Sequence, residues 1–277
     1  MATITAQMVR DLREKTDLPM MECKQALMES AGNFDAAVEW LRKKYKGKLV
    51  DRSGRATGEG RIAIFVDPSK KSGAIIELQC ETASVAQNEL FVKLANVCAR
   101  KVAQGSERDP DPERVRADPE LDGQLTDVFG RLRESMKLAQ CRKVTGTYLA
   151  SYVHHDGKSG ILLALDREPK SERNVGGDLC MHALFTKPLA IDRASVSADQ
   201  AEKVRQAARE TAVAEGKSGP IVDKIVEGKL NAFFAERVLM EQLHVKTDDY
   251  GKQKVGDILK QAGVGAVTDL VIMRVGG

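Results

Sequence analysis

Aromatic residues are scarce in this sequence, and their scarcity argues against one class of nucleic-acid-binding protein. Phe, Trp and Tyr together make up 4% of the 277 residues. Proteins that hold single strands by base stacking need a platform of aromatic side chains. The net charge of +3 is also too small to indicate a nucleic-acid partner. We therefore expect no nucleic acid among the main partners.

Long apolar runs are missing as well. No stretch approaches the roughly 20 apolar residues of a membrane span. The first residues contain no apolar region of a signal peptide, and Asp11 and Glu14 come too early for a transit peptide, which is Arg-rich and poor in acids. We expect a cytoplasmic protein with no membrane partner.

The cysteines are few, odd in number and scattered, and no Cys-x-x-Cys occurs. This pattern argues against both a disulfide framework and a zinc site. We expect buried, reduced thiols. The five positions are Cys23, Cys80, Cys98, Cys141 and Cys180.

The motifs of common catalytic sites are absent. Gly-Lys-Ser at 157–159 and at 216–218 resembles the end of a phosphate-binding loop, but the glycine required five residues earlier is Tyr152 or Thr211. His154-His155 has no indicated third metal ligand, and no Gly-x-Ser-x-Gly is present. The sequence predicts no catalytic residue and no metal site, and it indicates a protein that binds another protein.

Residues 1–45 predict a module of three helices. Thr5 is suited to cap the first helix, and Pro19 to occupy the first position of the second. Gly32 is a plausible end for the second helix, and Asn33 is a cap for the third. The third helix is expected to end at residues 42–44, where cations suit the helix dipole. Three short helices bury little apolar area, so such a module usually contacts something else.

Residues 46–60 are rich in glycine and charge and predict a linker. From Arg42 to Arg61 there are eight basic residues and two acidic ones. A solvated linker explains this composition, and an incidental RNA contact remains an alternative.

The rest of the chain predicts an α+β core of two similar halves, 61–140 and 141–277, each a small antiparallel sheet covered by helices. Strands at 61–66 and 74–80 form one hairpin, and strands at 146–153 and 161–165 form another. The segments that lead from the turn into the second strand are similar in the two hairpins. They are Lys71-Ser72-Gly73-Ala74-Ile75-Ile76-Glu77-Leu78 in the first and Lys158-Ser159-Gly160-Ile161-Leu162-Leu163-Ala164-Leu165 in the second.

Helices are expected after both hairpins. In the first half, one helix is expected to begin at Glu89. A loop is expected at 105–119, and a second helix carries residues 121–136. In the second half a helix is expected at 177–185. An antiparallel helical hairpin over 198–236 is inserted there, because 215–220 is a tight run rich in Gly and Pro. A helix near 255–262 and a strand near 267–275 close the chain.

With these elements in order, the sequence resembles bacterial elongation factor Ts over nearly its whole length. The most specific similarity lies in the front module, and weaker motifs follow in the family's order. The matching segments are Leu12-Arg13-Glu14-Lys15-Thr16, Met20-Met21-Glu22-Cys23-Lys24-Gln25-Ala26-Leu27, Tyr152-Val153-His154, Met181-His182, Lys187-Pro188, Val226-Glu227-Gly228-Lys229 and Leu239 to Val245.

The resemblance implies a guanine nucleotide exchange factor, which is not an enzyme in the usual sense and carries no cofactor. Its partner would be elongation factor Tu, in the GDP-bound and the nucleotide-free forms. The front module, similar to a ubiquitin-associated domain, would dock on the nucleotide-binding domain of Tu. The resemblance places a loop that disturbs the magnesium site at Thr82, Ala83, Ser84 and Val85, and partner contacts at Met20, Met21 and His154.

The sequence departs from the family pattern at that loop. The family pattern is Cys-x-Thr-Asp-Phe-Val-Ala, whereas this chain has Cys80-Glu81-Thr82-Ala83-Ser84-Val85-Ala86. The Asp-Phe pair is therefore replaced by Ala-Ser. Nearby Glu89-Leu90-Phe91 offers an acid and an aromatic ring, but Phe91 fits better as a packing residue of the following helix.

Three functional hypotheses remain open. The first is an exchange factor that works through its remaining contacts. The second is a Tu-binding protein, such as a chaperone or sequestering partner, with weakened exchange. The third is an RNA-binding ribosome-associated factor, based on the basic stretch. The candidate site residues also have interpretations that involve no partner. At least one of Met20 and Met21 would then lie in the core, Thr82 would cap a helix through its hydroxyl, and His154 would be an exposed histidine of the hairpin.

Overall fold

A computed structural model describes residues 3–51 and 55–277 of the chain. The N-terminal module consists of three helices whose caps agree with the sequence. Thr5 accepts a hydrogen bond from the N–H of Met8 through its side chain, and Asn33 accepts one from Ala36. The helices are α1 (Ala6–Thr16), α2 (Met20–Glu29) and α3 (Phe34–Asp51).

The module differs from the prediction at two helix ends. Pro19 precedes α2 rather than opening it. α3 continues through residues 46–51, so residues 42–44 are not its last turn and the predicted linker is partly helical. Lys46 pairs with Asp122 and Lys48 with Glu22, and these contacts support the additional helical turns. Of the remaining linker residues, 52–54 lie outside the described part of the chain.

The first half contains an antiparallel sheet in the order β1-β2-β3, with helices on one face. The third strand was not predicted. The elements are β1 (Glu59–Val66), β2 (Ser72–Cys80), α4 (Ala83–Ala86), α5 (Glu89–Gln104), α6 (Pro112–Arg116), α7 (Pro119–Leu132) and β3 (Met136–Thr145).

Two expectations for the secondary structure of this half were wrong. Met136 is the first residue of β3 rather than part of a helix, because Arg133 adopts a left-handed conformation (φ 59°) that ends α7. The expected loop at 105–119 contains α6, which Asp111 caps through the N–H of Glu113. The expected boundary between residues 140 and 141 falls inside β3, whose pairing with β2 extends to Thr145.

The second half repeats this arrangement with the sheet order β4-β5-β6. Both central strands have a register shift at the equivalent point, between Glu77 and Leu78 in β2 and between Ala164 and Leu165 in β5. The predicted duplication therefore extends to a β-bulge. The elements are β4 (Tyr148–Val153), β5 (Ser159–Leu165), α8 (Val175–Thr186), α9 (Ala198–Ala214), α10 (Pro220–Arg237), α11 (Thr247–Tyr250), α12 (Val255–Gln261) and β6 (Val267–Arg274).

The two sheets pack against each other through a shared apolar layer that includes Ile62, Leu149 and Leu162. The repeated glycines permit this approach. A Cβ on Gly160 would lie 2.7 Å from the Ile62 side chain, and one on Gly73 would lie 3.1 Å from the Leu149 side chain. Helices cover the outer faces, so the core has four layers, helix–sheet–sheet–helix.

α9 and α10 form the predicted antiparallel helical hairpin. Its seam contains Ala208, Ala212, Val222 and Val226. Ala212 is buried in this seam, whereas Thr211, one residue earlier, is exposed. Within residues 3–51 and 55–277, no helix is both long enough and apolar enough to cross a bilayer.

Candidate protein-docking site

The start of α2 presents two methionines to solvent. Met20 is 44% exposed and Met21 is 73% exposed, so the expectation that at least one of them lies in the core was wrong. The buried stripe of α2 is formed by Cys23, Ala26 and Leu27. Leu18, in the segment before the helix, is buried in the apolar cluster of the module. The methionines therefore form an exposed apolar surface with flexible side chains, which suits a binding surface.

The N-terminal module is attached to α7 of the first half. Phe129 of α7 is buried within the apolar cluster of the module, and its ring packs edge-on against Tyr45 with the centroids 6.4 Å apart. Gly130 permits this contact, since a Cβ there would lie 3.2 Å from the Leu18 side chain. Arg42 pairs with Asp127 at 3.2 Å. The exposed methionines are thus carried on a module with a defined position against the core.

A polar network surrounds Glu22, the residue that follows the methionines. Its carboxylate accepts a hydrogen bond of 2.7 Å from the Tyr45 hydroxyl and lies 3.4 Å from Lys48. Burial would raise the pKa of Glu22, but the Tyr45 hydrogen bond and the charges of Lys44 and Lys48 lower it below its ordinary value. Arg133, after α7, reaches both the Tyr45 hydroxyl (3.3 Å) and Glu22 (4.0 Å).

This network bears on the basic stretch at 42–61. Arg42, Lys44, Lys46 and Lys48 lie on α3 and contact acidic side chains of α2, α3 and α7. A basic residue that is already paired attracts phosphate less strongly. The stretch therefore gives less support to RNA binding than its composition suggested.

The 82–85 turn lies where β2 leaves the first sheet. Thr82 caps α4, and its side-chain oxygen accepts the N–H of Val85 at 3.4 Å, as the capping interpretation expected. Val85 is buried in the apolar core of the first half, whereas Ala83 and Ser84 are exposed. Phe91 is fully buried, so it is the packing residue that the sequence indicated. The two positions at which the chain departs from the family pattern are thus at the surface.

The segment after α7 holds this turn. Glu134 accepts hydrogen bonds from the Thr82 hydroxyl (2.6 Å) and the Thr82 N–H (3.0 Å). In return, Glu81 accepts the N–H of Ser135 at 2.8 Å. That hydrogen bond, more than the neighbouring Arg55, lowers the pKa of Glu81 below its ordinary value. Two carboxylates therefore connect the two backbones reciprocally.

His154 lies on the turn between β4 and β5 and is half-buried. Its Nδ1 is 3.2 Å from the Tyr152 hydroxyl. The same turn contacts the first sheet, because the Gly157 carbonyl accepts the N–H of Ile62 (2.8 Å) and Lys158 pairs with Glu59 (2.7 Å). Glu59 is paired in register with Cys80, immediately before the 82–85 turn.

The structure thus connects the residues that the sequence had singled out. Glu22, which follows Met21 in the sequence, contacts Arg133, and the next residue, Glu134, contacts Thr82. From Cys80, contacts lead through Glu59 and Lys158 to the turn that carries His154. Sequence reasoning missed the roles of Glu22, Arg133 and Glu134 in the site, because their partners are distant in the sequence.

The cysteines and histidines of the described chain offer no metal site. All five cysteines are buried and free, as predicted. Burial raises the pKa of Cys98 to about 12, so its thiol is a poor nucleophile at neutral pH. Among the described residues, no group of three or more His, Cys, Asp or Glu side chains could hold a metal ion.

In the second half, the Met181-His182 motif meets the Leu239-to-Val245 segment. The buried His182 ring contacts the Gln242 side-chain oxygen through Nε2 (3.0 Å) and accepts the N–H of Val245 through Nδ1 (3.2 Å). This ring stacks on His244 with the centroids 5.0 Å apart. The motif therefore holds the base of the helical hairpin in place. Large apolar side chains in the adjoining segments stay exposed, namely Phe185, Leu189, Leu243 and Val245.

We expect His182 to make stability depend on pH. Burial and, to a smaller extent, the charge of His244 lower the pKa of His182 from 6.5 to about 4. The hydrogen bond with Gln242 acts in the opposite direction and is outweighed. The unfolded chain then takes up this proton below pH 6.5, while the folded chain does so only near pH 4. The contribution of the neutral His182 ring to the free energy of unfolding is therefore complete above pH 6.5. It is lost as the pH falls to 4, and the total loss is about 3 kcal/mol. Urea unfolding between pH 7 and 4 measures it, with His182→Gln as the comparison. Parallel pH profiles for the two proteins would contradict the assignment.

Comparison with known proteins identifies the family with which the chain shares its sequence. The sequence model described as Elongation factor TS matches residues 81–277. A curated protein from Clostridium botulinum (strain ATCC 19397 / Type A), named Elongation factor Ts, is 37% identical over 256 residues, which cover 89% of this chain and 83% of that protein.

A second relative covers the N-terminal module as well. The Elongation factor Ts of Bordetella petrii (strain ATCC BAA-461 / DSM 12804 / CCUG 43448) is 38% identical over 281 residues, covering 100% of this chain and 92% of that protein. The similarity therefore includes the exposed methionines, the 82–85 turn and the helical hairpin.

Proposed function

Because the chain belongs to the elongation factor Ts family, and is thus a translation elongation factor, we propose that it binds elongation factor Tu and accelerates the release of GDP. It would act as a guanine nucleotide exchange factor in the cytoplasm, without catalysing a covalent step. Its site residues would be Met20 and Met21 for docking, Thr82 to Val85 beside the magnesium and phosphate site of Tu, and His154 as a further contact.

One observation carries this proposal: the exposed apolar pair and the exposed turn lie on segments that both contact residues 133 and 134. Met20 and Met21 offer apolar area that a partner can bury. The exposed Ala83 and Ser84 lie on a turn whose backbone is held to the segment that contacts the module. Docking through the methionines would therefore also determine where the turn meets the partner.

The physical basis of exchange is linkage between two ligands of Tu. If this protein and GDP with Mg²⁺ favour different conformations of Tu, each weakens the binding of the other reciprocally. Each tenfold acceleration of GDP release requires about 1.4 kcal/mol off the barrier. That free energy must come from contacts that form only in the state in which the nucleotide is loosened.

The alternative is a Tu-binding or sequestering protein with weak exchange activity. The observation that favours it is the pair Ala83-Ser84, which offers neither a carboxylate nor an aromatic ring at the exposed turn. Such a protein would bind Tu through the module and the second half and would leave the nucleotide in place.

Stopped-flow release of fluorescent GDP from Tu tests the proposal. We expect the release rate to rise with the concentration of this protein and to saturate. The substitutions Met20→Ala and Met21→Ala together should raise the half-saturating concentration about tenfold, because apolar area is lost from the docking surface. The thermal midpoint should not change, since both side chains are exposed.

Two outcomes separate the hypotheses. Tight binding to Tu by calorimetry without faster GDP release would overturn exchange and support the sequestering alternative. RNA binding that weakens steeply with salt would revive the third hypothesis.

A further inference from the structure

The segment that follows α7 lies between the N-terminal module and the 82–85 turn. Arg133 adopts a left-handed conformation at the end of the helix and contacts the Tyr45 hydroxyl of α3. The next residue, Glu134, accepts hydrogen bonds from Thr82. Two successive residues therefore contact the module that carries Met20 and Met21 and the turn that carries Ala83 and Ser84.

We propose that Glu134 is a positioning residue for nucleotide exchange, which holds the 82–85 turn in a defined orientation relative to the N-terminal module. The inference rests on the proposed function and deepens it. Glu134 need not touch the partner. It would act through Thr82, so that binding energy gained at the module is transmitted to the turn.

The turn depends on such a contact because it has little stability of its own. α4 has four residues, too few to form a stable helix without tertiary contacts. Val85 and Ala86 anchor one side of α4 in the first core. The opposite side, with Ala83 and Ser84, is exposed and follows directly after Thr82. The orientation of that exposed side is therefore determined at Thr82.

The hydrogen bonds at Thr82 require a carboxylate at position 134. The Thr82 hydroxyl accepts from Val85 N–H and so donates its own hydrogen to Oε1 of Glu134. The Thr82 N–H donates to Oε2 of Glu134. A carboxylate accepts at both oxygens, whereas an amide at this position would accept at one only. Hydrogen bonds to a charged acceptor are also the stronger kind.

A second connection makes the arrangement rigid. Glu81 accepts the N–H of Ser135, so residue 81 is bound to residue 135 while residue 82 is bound to residue 134. Removing Glu134 leaves the Glu81 connection and the apolar anchor intact. The fold should therefore survive while the turn gains freedom, which is the behaviour expected of a positioning residue.

The test uses the full chain with Glu134→Ala and Glu134→Gln in the GDP-release assay at saturating concentrations. We expect the maximal release rate to fall about tenfold for Glu134→Ala and about threefold for Glu134→Gln, from the loss of two or one hydrogen bonds to a charged group. The half-saturating concentration should change less than about twofold, because the docking surface is untouched.

The control is Glu172→Ala, which removes an exposed glutamate from a loop of the second half. It should leave both kinetic parameters unchanged. A maximal rate for Glu134→Ala equal to that of the wild type would overturn the inference. A rate lost only together with a lowered thermal midpoint would also overturn it, since that result indicates a structural role.

A measurement without Tu separates this inference from the proposed function. Amide hydrogen exchange of residues 81–86 in the free chain should become faster in Glu134→Ala and remain slow in Glu172→Ala. An unchanged rate of amide hydrogen exchange at residues 81–86 in Glu134→Ala would overturn the positioning role. If instead the wild type itself fails to accelerate GDP release, the proposed function fails, and the kinetic arm of this test fails with it.

Discussion

The paired substitutions Ala83→Asp and Ser84→Phe are expected to raise the maximal rate of GDP release about ten- to hundredfold. A buried Phe side chain contributes roughly 1.5–3 kcal/mol of apolar burial, and each 1.4 kcal/mol off the barrier is a factor of ten. The new carboxylate would also compete for the environment of the magnesium ion. Both positions are exposed, so the added side chains meet solvent in the free protein.

Stopped-flow GDP release with the single and double variants measures this effect. The exchanged pair Ala83→Ser with Ser84→Ala is the matched control, because it keeps the size and polarity of the turn, and it should behave as the wild type. The thermal midpoint should be unchanged in all four variants. An unaltered release rate in the double variant would show that contacts elsewhere carry the exchange and that the missing pair is not limiting.

Phe129→Ala is expected to destabilise the attachment of the N-terminal module by about 3–5 kcal/mol, the range for a buried Phe replaced by Ala. Phe129 belongs to α7 but is buried in the apolar cluster of the module, so its loss leaves a cavity at the contact between the two parts. The module buries too little apolar area to tolerate such a cavity alone. The loss should also weaken docking on Tu, because Met20 and Met21 would no longer have a defined position.

The single tryptophan allows a direct measurement. Trp40 packs against the cluster of the module, so its fluorescence reports the module while circular dichroism reports the whole chain. In urea we expect the two transitions to coincide in the wild type and the Trp40 transition to come first in Phe129→Ala. Phe129→Leu should show a smaller separation, and Phe185→Ala, at a side chain that is 76% exposed, should show none. Coincident transitions in Phe129→Ala would contradict the role of this contact.

Local signals in the sequence predicted most of the elements. Thr5 and Asn33 cap their helices as expected, because a capping side chain acts on the backbone within three residues. The repeated Ser-Gly turn exits predicted two similar hairpins, and the structure extends the similarity to the bulges at Glu77 and Ala164. The breaker-rich run at 215–220 likewise predicted the helical hairpin.

The failures involve partners that are distant in the sequence. β3 was missed because it begins four residues after α7 and has an apolar pattern interrupted by Lys137, Arg142 and Lys143; only pairing with β2 makes it a strand. α3 extends past residue 45 with ion pairs to α2 and α7. At least one of Met20 and Met21 was expected in the core, but both are exposed, whereas Leu18 before them is buried.

For the candidate site, too, the sequence indicated the individual residues but not the contacts between them. Sequence resemblance indicated Met20, Met21, the 82–85 turn and His154, each as part of a separate motif. Their connection through Glu22, Arg133 and Glu134 required the packing of the module on α7, since these partners are 52 to 111 residues apart.

The sequence by itself determined the helix caps, the duplicated hairpins, the family and the loss of the Asp-Phe pair, because these depend on neighbouring residues or on residue identity. Only the tertiary structure decided which methionines are exposed, where the third strands pair, and how the module is held to the 82–85 turn. Burial and long-range hydrogen bonds arise from packing between distant segments, and their free energy is gained only when the chain folds.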